Sequence, residues 1–206
     1  MYKEYEYYNE NLDHTSNYIL EPILNLLGNR KELVILDLGC GNGSMVNYLL
    51  KLGYNVYGVD ASISGIQIAN KLNPGRFIHF DFDKDNPEIL AELNVDVILS
   101  IEVIEHLYSA KNFMSLCNQI LVNSKTAELI ISTPYHGYFK NLILSLFDKW
   151  DKHWSPTWEG GHIKFWSKRT IIELFSTNGF KLSKFIGVGR FPYVWKSMIV
   201  QGVKHD

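Results

Sequence analysis

Apolar positions along this chain carry two alternating signatures. Leu33 to Leu38, Asn55 to Val59, Phe77 to Phe80, Val95 to Ser100 and Glu128 to Ser132 are short, nearly continuous apolar runs, the pattern of strands covered on both faces. Between them the apolar residues recur every three or four positions. Tyr18, Ile19, Ile23, Leu24 and Leu27 form one such stripe, stopped by Gly28. Met45, Val46, Leu49 and Leu50 form a second, and Ile63, Ile66, Ile68 and Ala69, behind a capping Ser62, a third that ends near Asn73-Pro74-Gly75. Pro87 to Leu93 and Asn112 to Leu121 continue the series. Strands alternating with helices at this spacing predict right-handed βαβ units and an α/β fold with a doubly wound, mostly parallel sheet.

The alternation breaks after Thr133-Pro134. Residues 135–166 form one long connection holding His136, His153 and His162 with Trp150, Trp154, Trp158 and Trp166, and connections of this length in compact domains are usually functional. Inside it, Phe139, Leu142, Ile143, Leu146, Phe147 and Trp150 fall on one helical face over residues 138–150. That face is open to four uses: covering a substrate, packing against the domain, forming a homodimer seam, or lying on a membrane surface. Gly160-Gly161 before His162 allow a close approach, and the tryptophans supply an apolar wall for a ring or sugar, so the connection is expected to build an acceptor pocket. Ser167 opens an amphipathic helix that stops at Asn178-Gly179, and Phe180 to Val188 and Trp195 to Val203 are expected as two closing strands.

The sharpest chemical signal follows the first strand. Gly39, Gly41 and Gly43 alternate with Cys40 and Asn42, a composition that permits a sharp turn and close backbone approach to a ligand, and helical periodicity resumes at once. Asp60, at the end of the second strand and about 20 residues on, is placed to bind both hydroxyls of a ribose. Ligands of such sheets lie beyond the carboxyl ends of the strands. Gly39, Asp60, Asp81 and Glu102 each follow such an end, so they converge on one pocket. A dinucleotide fingerprint would need Gly or Ala where Ser44 stands.

Composition narrows the partners. A chain of 206 residues has room for one domain, 1–206, and a net charge of −2 argues against a nucleic-acid binder with a broad basic surface. Cys40 and Cys117 suggest neither a disulfide framework nor a zinc site. The polar start and the lack of a long apolar window lead us to expect a soluble, cytoplasmic protein.

The stretch Asp37-Leu-Gly39-Cys-Gly41-Asn-Gly43 with Asp60 resembles the first motif of class I S-adenosylmethionine-dependent methyltransferases. The resemblance covers roughly residues 30 to 203. It implies a Rossmann-like, seven-stranded sheet whose last strand is antiparallel, with S-adenosyl-L-methionine held by Asp37, Gly39, Cys40, Gly41, Gly43, Asp60, Ala61, Asp81, Phe82, Ser100 and Glu102. Asp81 and Phe82 match by position the family's adenine-binding acid and stacking neighbour. In this family residues 1–29 would supply a lid and helix, with Tyr7 and Tyr8 of a tyrosine-rich stretch as lid candidates; surface packing is the other reading of these tyrosines. Asp83 and Asp85 fit a solvated turn.

Glu102-Val-Ile-Glu105-His106-Leu resembles the E-x-x-E-H segment of the quinone-biosynthesis O-methyltransferases, which have been linked to a divalent cation. The resemblance makes Glu102, Glu105 and His106 candidate Mg²⁺ ligands. A metal-free alternative uses His106, His162 or His136 as general base, an imidazole being half-ready near neutral pH. These relatives carry a membrane-touching insertion at this point, which favours a lipophilic small-molecule acceptor. O-methylation of a phenol, quinol precursor or sugar hydroxyl leads. N- or C-methylation, and a non-catalytic cofactor-binding scaffold, stand as alternatives. Ser132-Thr133-Pro134-Tyr135 stands where amino-group methylases of bases and proteins carry Asn/Asp-Pro-Pro-Tyr.

Overall fold

The strand Val34–Leu38 (β1) lies between two parallel neighbours, Asn55–Asp60 (β2) and Val97–Ile101 (β4), with Asp37 level with both Gly58 and Leu99. The computed structural model describes residues 6–9, 14–82, 84–154, 156–157 and 160–205; the roles expected of Asp83 and Trp158 fall outside these residues. Phe77–His79 (β3), Glu128–Pro134 (β5), Phe180–Val188 (β6) and Ser197–Lys204 (β7) complete a seven-stranded sheet in the order β3-β2-β1-β4-β5-β7-β6. β7 is antiparallel to both β5 and β6, and the remaining pairs are parallel. This is the mostly parallel, doubly wound sheet with a reversed last strand expected from the sequence.

Successive side chains of a strand point to opposite faces, so each central strand feeds two apolar layers. Leu36, Leu38, Ile98, Leu129 and Ile131 pack with Leu90 of Glu88–Ala91 (α4), with Phe113, Met114 and Cys117 of Ala110–Ile120 (α5) and with Ile171 and Phe175 of Lys168–Thr177 (α8). Ile35, Val56, Val97, Leu99 and Ile130 pack on the other side with Ser16–Leu27 (α1), Ser44–Lys51 (α2) and Ile63–Leu72 (α3). Full burial of each such aliphatic side chain contributes about 1.5–3 kcal/mol. Serines start the helices as expected: Ser62 Oγ accepts from the Gly65 N–H at 3.1 Å, and Ser167 forms a capping box with Thr170.

The 138–150 segment departs from the expectation of one continuous face. Its first helix, Tyr138–Leu146 (α6), ends before a turn at Phe147 to Lys149, where Asp148 has a φ of 49°, and a second short helix, Trp150–Trp154 (α7), follows. The apolar face does not pack on the domain: Phe139, Leu142, Ile143, Leu146 and Phe147 are all exposed. Lys140 is buried instead, and packing on the sheet side selects this polar stripe rather than the apolar one.

Candidate functional site

Gly39 follows β1 with a φ of 87°, and a Cβ there would stand 2.5 Å from Val103 Cγ2. Gly43, with a φ of 73°, would bring a Cβ 2.5 Å from the Ala69 methyl and 2.6 Å from the Phe77 ring, so this glycine lets α2 start against α3 and β3. At Gly41 the space a Cβ would take is held by the Tyr7 phenol, 2.5 Å from it. The Tyr7 N–H donates to Ser64 Oγ at 3.2 Å, and Asn42 Nδ2 donates to the Asn9 carbonyl at 2.8 Å, so residues 7–9 lie along the glycine loop. Tyr8 points outward and donates to Glu6.

Asp60 closes the loop from the other side. Its Oδ2 accepts from the Gly41 N–H at 2.8 Å and its Oδ1 from the Ser62 N–H at 2.7 Å. Burial raises its pKa, and these two N–H groups work against that rise by favouring the carboxylate. Asp37, only 2 % exposed, has its carboxyl lifted to about 7 by burial and then by the nearby Asp60, and its Oδ1 has no hydrogen-bond partner. Cys40 is buried with its sulfur over Gly58, and burial followed by Asp37 pushes its thiol up.

The other expected cofactor positions are distributed along the same edge. Ala61 is exposed, and its carbonyl bonds His79 Nε2 at 3.0 Å. Asp81 pairs with Lys84, and its N–H donates to Asp85 Oδ2 at 2.7 Å in an exposed turn. Phe82 packs between Phe80 and Phe113 and lines a small cleft with Leu107, Tyr108 and Asn112. Ser100 is wholly buried and donates to the Leu38 carbonyl at 3.0 Å, tying β4 to β1.

Past β4 the backbone enters the left-handed region at Glu102, whose φ is 56°. A non-glycine residue there carries strain that clusters at functional sites. Glu102 Oε1 accepts from Ser132 Oγ at 2.8 Å and Oε2 from Ser197 Oγ at 3.2 Å. Burial raises the Glu102 carboxyl, and the two hydroxyls oppose the rise. Glu105 is 1 % exposed; Thr133 Oγ1 donates to its Oε2 at 2.9 Å, while its Oε1 has no partner. Burial, then the negative Glu102, pushes the Glu105 carboxyl well up.

Glu105 also anchors the long connection, because its carbonyl accepts from the N–H groups of Ile163 and Lys164 at 2.9 and 3.1 Å. That clamp brings His162 to His106, with ring centroids 4.9 Å apart in an edge-to-face contact. His106 Nδ1 lies 2.8 Å from the Gly160 carbonyl. A carbonyl only accepts, so the proton of a neutral ring sits on Nδ1 and the lone pair on Nε2. Burial lowers the His106 pKa against the pull of the Gly160 and Gly161 carbonyls; burial and then His106 lower His162 to about 4. Donor atoms of Glu105, His106 and His162 lie within 4.8 Å of one another. The structure thus groups Glu105 and His106 with His162, while both oxygens of Glu102, the third ligand expected from the sequence, accept from serines.

His136 stands apart from this group. Its ring packs edge-on to Phe165 at 4.8 Å and lies 5.2 Å from His153, and neither ring nitrogen has a hydrogen-bond partner. Burial is the main cause that brings its pKa down to about 3, with Lys140 and His153 adding to it. Trp154 stacks on Phe165 at 4.7 Å, and Trp150 meets Trp154 at 5.6 Å, while Trp166 turns into the core. Sequence reasoning missed Lys140, Ser132, Thr133 and Ser197. One signal was present for Lys140, a single cation inside an otherwise apolar helical segment; the three hydroxyls had none.

The glycine turn, an acid ending the second strand and a further acid after the fourth, on a sheet of this order, define the architecture of the S-adenosylmethionine-dependent methyltransferases. A family model described as "Methyltransferase domain" matches residues 8–184, and the chain belongs to that family. Among curated relatives, the ubiquinone biosynthesis O-methyltransferase of Pelagibacter ubique is 27 % identical over 164 residues, covering 77 % of this chain and 65 % of that protein. The protein of the same name from Rickettsia canadensis is 26 % identical over 173 residues, 83 % of this chain and 72 % of that protein. This chain therefore spans about two thirds of the length of these relatives. In fold it is similar to magnesium protoporphyrin IX methyltransferase from Synechocystis, solved with bound SAH, at a TM-score of 0.65 and 19 % identity over 91 % of this chain and 82 % of that one. A putative S-adenosylmethionine-dependent methyltransferase from Listeria monocytogenes is similar at a TM-score of 0.66 and 17 % identity, covering 91 % and 96 %. Among the described residues no helix is long and apolar enough to cross a membrane.

Proposed function

We propose that this chain transfers the methyl group of S-adenosylmethionine to a hydroxyl oxygen of a small molecule, with the His106–His162 pair taking the hydroxyl proton. The observation that carries the reading is the 4.9 Å contact of these two rings just beyond β4, on the same sheet edge as the glycine loop and Asp60. The relatives' names support a phenolic or quinol-type acceptor.

The residues fit the cofactor. The turn at Gly41 leaves a hollow wide enough for the Tyr7 phenol, Asp60 stands at its rim, and the orphaned Asp37 oxygen beside it suits a cationic or N–H-bearing group. Gly39, Gly41, Gly43 and Asp60 would hold the cofactor. When bound, it supplies an electrophilic methyl on a sulfonium, and the chemistry left to the protein is alignment, exclusion of water and removal of one proton. His106 Nε2 is the basic nitrogen of its ring, and burial keeps both imidazoles neutral, the form able to accept that proton. Thr133 holds Glu105, and Glu105 holds the 162–164 segment, so the pair is positioned from β5.

Two imidazoles and one carboxylate are a donor set for borderline ions such as Zn²⁺ or Fe²⁺; Mg²⁺ prefers oxygen, and these residues do not suit it. No step is assigned to it. The exposed face of Phe139, Leu142, Ile143, Leu146 and Phe147 supports a lipid contact and a lipophilic acceptor. Flotation with anionic liposomes tests that part, and a protein left in the soluble fraction loses it.

Radiolabelled cofactor with a panel of phenolic and sugar acceptors tests the main reading. Label in a methyl ether is the expected result. No transfer to any acceptor, together with no uptake of S-adenosylhomocysteine, overturns it, and undiminished turnover in both His106→Ala and His162→Ala removes the proton-acceptor role.

A further inference from the structure

Lys140 is out of place for a surface helix. It sits in the first turn of α6 with only 7 % exposure, while the apolar residues of that helix face solvent. Its Nζ donates to the Lys196 carbonyl at 3.2 Å, and among the described residues this is its only hydrogen bond and it has no ion pair within 4 Å. An ammonium has three N–H donors, so two are left without an acceptor. Its neighbours add to the imbalance. His136, 5 % exposed, has neither nitrogen within hydrogen-bond geometry of a partner, although the Asn141 amide beside it favours its charged form; His153 Nε2 is buried and unpartnered as well. Arg190 brings a second positive charge that bears on Lys140 and His153. Glu102, the acid among the described residues that bears on the amine, has both oxygens occupied by serine hydroxyls.

Burying a cation without a counter-charge is costly, and burying imidazoles without partners adds to the cost. Structural packing does not require it, since an apolar residue at 140 would fill the same buried position with no charge to compensate. A cluster with surplus donors and positive charge becomes satisfied when an anion enters. The walls identify the kind of molecule that carries it: Phe165 and Trp154 stack beside His136, an apolar surface for a planar ring.

We propose that Lys140, with His136 and His153, forms a subsite for a carboxylate carried by the methyl acceptor, making the substrate an aromatic hydroxy acid rather than a neutral phenol. This rests on the methyltransferase reading above and adds the charge of the substrate to it. The carboxylate would accept from the two unused Lys140 N–H groups and from a ring N–H of His136, and Arg190 would draw the anion inward from the rim. The acceptor hydroxyl is then left to the His106–His162 pair, which Lys140 and His153 also influence electrostatically.

Calorimetry on the protein saturated with S-adenosylhomocysteine tests this, using 3,4-dihydroxybenzoate and its neutral amide, 3,4-dihydroxybenzamide, which differ in charge and little in shape. The acid should bind about tenfold or more tightly than the amide, the size of one hydrogen bond to a charged group. Lys140→Met should erase that preference while its melting transition stays cooperative; if that variant does not fold, Lys140→Gln and His136→Phe give the same comparison. Equal binding of acid and amide, binding of neither, or a preference that survives loss of the Lys140 charge overturns the proposal. The saturation step keeps the two readings separate. A protein that takes up S-adenosylhomocysteine and then treats acid and amide alike fails this inference alone, whereas one that does not take it up fails the methyltransferase reading.

Discussion

His162 meets His106 edge to face with ring centroids 4.9 Å apart, although the two belong to different loops, one after β4 and one at the end of the long connection. His106 lowers the proton affinity of His162 by proximity, on top of the burial that dominates in both rings. A base with a depressed pKa stays neutral further into acid. The acid limb of kcat/KM should therefore lie below the value of about 6.5 for a free imidazole. Replacing His106 by Gln removes one of the burdens on His162, so any residual activity should show that limb moved toward neutrality. The rate itself should drop about 10²–10⁴-fold for loss of the proton acceptor. A pH profile of each single variant measures both effects, and an acid limb that stays put in His106→Gln contradicts the coupling.

Asp60 makes a sharper prediction for binding than for rate. Its two oxygens already hold the Gly41 and Ser62 N–H groups, so it fixes the loop as well as offering acceptors to a ribose. Asp60→Ala should weaken uptake of S-adenosylhomocysteine about ten- to a hundredfold, the range for losing one or two hydrogen bonds to a charged acceptor. Asp60→Asn retains one oxygen but points N–H toward N–H at the other contact, and should fall between. Calorimetry at fixed pH reads the series; unchanged affinity in Asp60→Ala would remove the ribose role.

Two glycines of the same backbone sign separate strain from crowding. Gly43 and Gly53 have φ of 73° and 84°, yet a Cβ on Gly53 meets nothing within 4 Å, whereas one on Gly43 lands 2.5 Å from Ala69. Gly53→Ala should cost about 1–2 kcal/mol, the left-handed penalty alone. Gly43→Ala must in addition push α3 off α2 and should cost about 1–3 kcal/mol more. Urea midpoints give the comparison, and equal losses would mean that the helix contact yields freely.

What could be read from the sequence follows from how local the cause is. β1, the glycine turn and α2 are written in adjacent residues, and the period-two split of Ile35 from Leu36 and Leu38 into opposite layers comes directly from strand geometry. The acids after β2 and β4 could be located because strand ends in a parallel sheet share an edge. The orientation of α6 could not, since its apolar stripe suggested burial and only contact with the sheet decides that Lys140 goes inward. The serines of Glu102 were equally hidden: Ser132 lies on β5 and Ser197 on the reversed strand β7, so their meeting depends on the β5–β7 register. His162 reached His106 through backbone bonds from Ile163 and Lys164 to the Glu105 carbonyl, a pairing with no sequence pattern of its own.

Acid stability carries the last prediction, and two buried groups give it opposite signs. His136 titrates near 3 in the folded chain, chiefly because burial disfavours the charged ring, against about 6.5 when unfolded. Between those values the unfolded chain binds the extra proton, so stability falls as pH drops from about 6.5 toward 3. Asp37 behaves in the other sense: its folded pKa of about 7 lies above the value of about 3.9 for an unfolded aspartate, the folded chain binds the extra proton between them, and stability falls as pH rises through that window. Between about pH 4 and 6.5 the contributions of these two groups therefore oppose one another. His136→Phe, which keeps an aromatic ring against Phe165, should leave the Asp37 slope exposed, so that melting temperature rises on acidification through this range. Asp37→Asn should do the reverse and make the protein more acid-sensitive. Melting curves of the three proteins across that range decide the matter, and parallel pH dependences would show that neither group titrates in the folded state as its burial dictates.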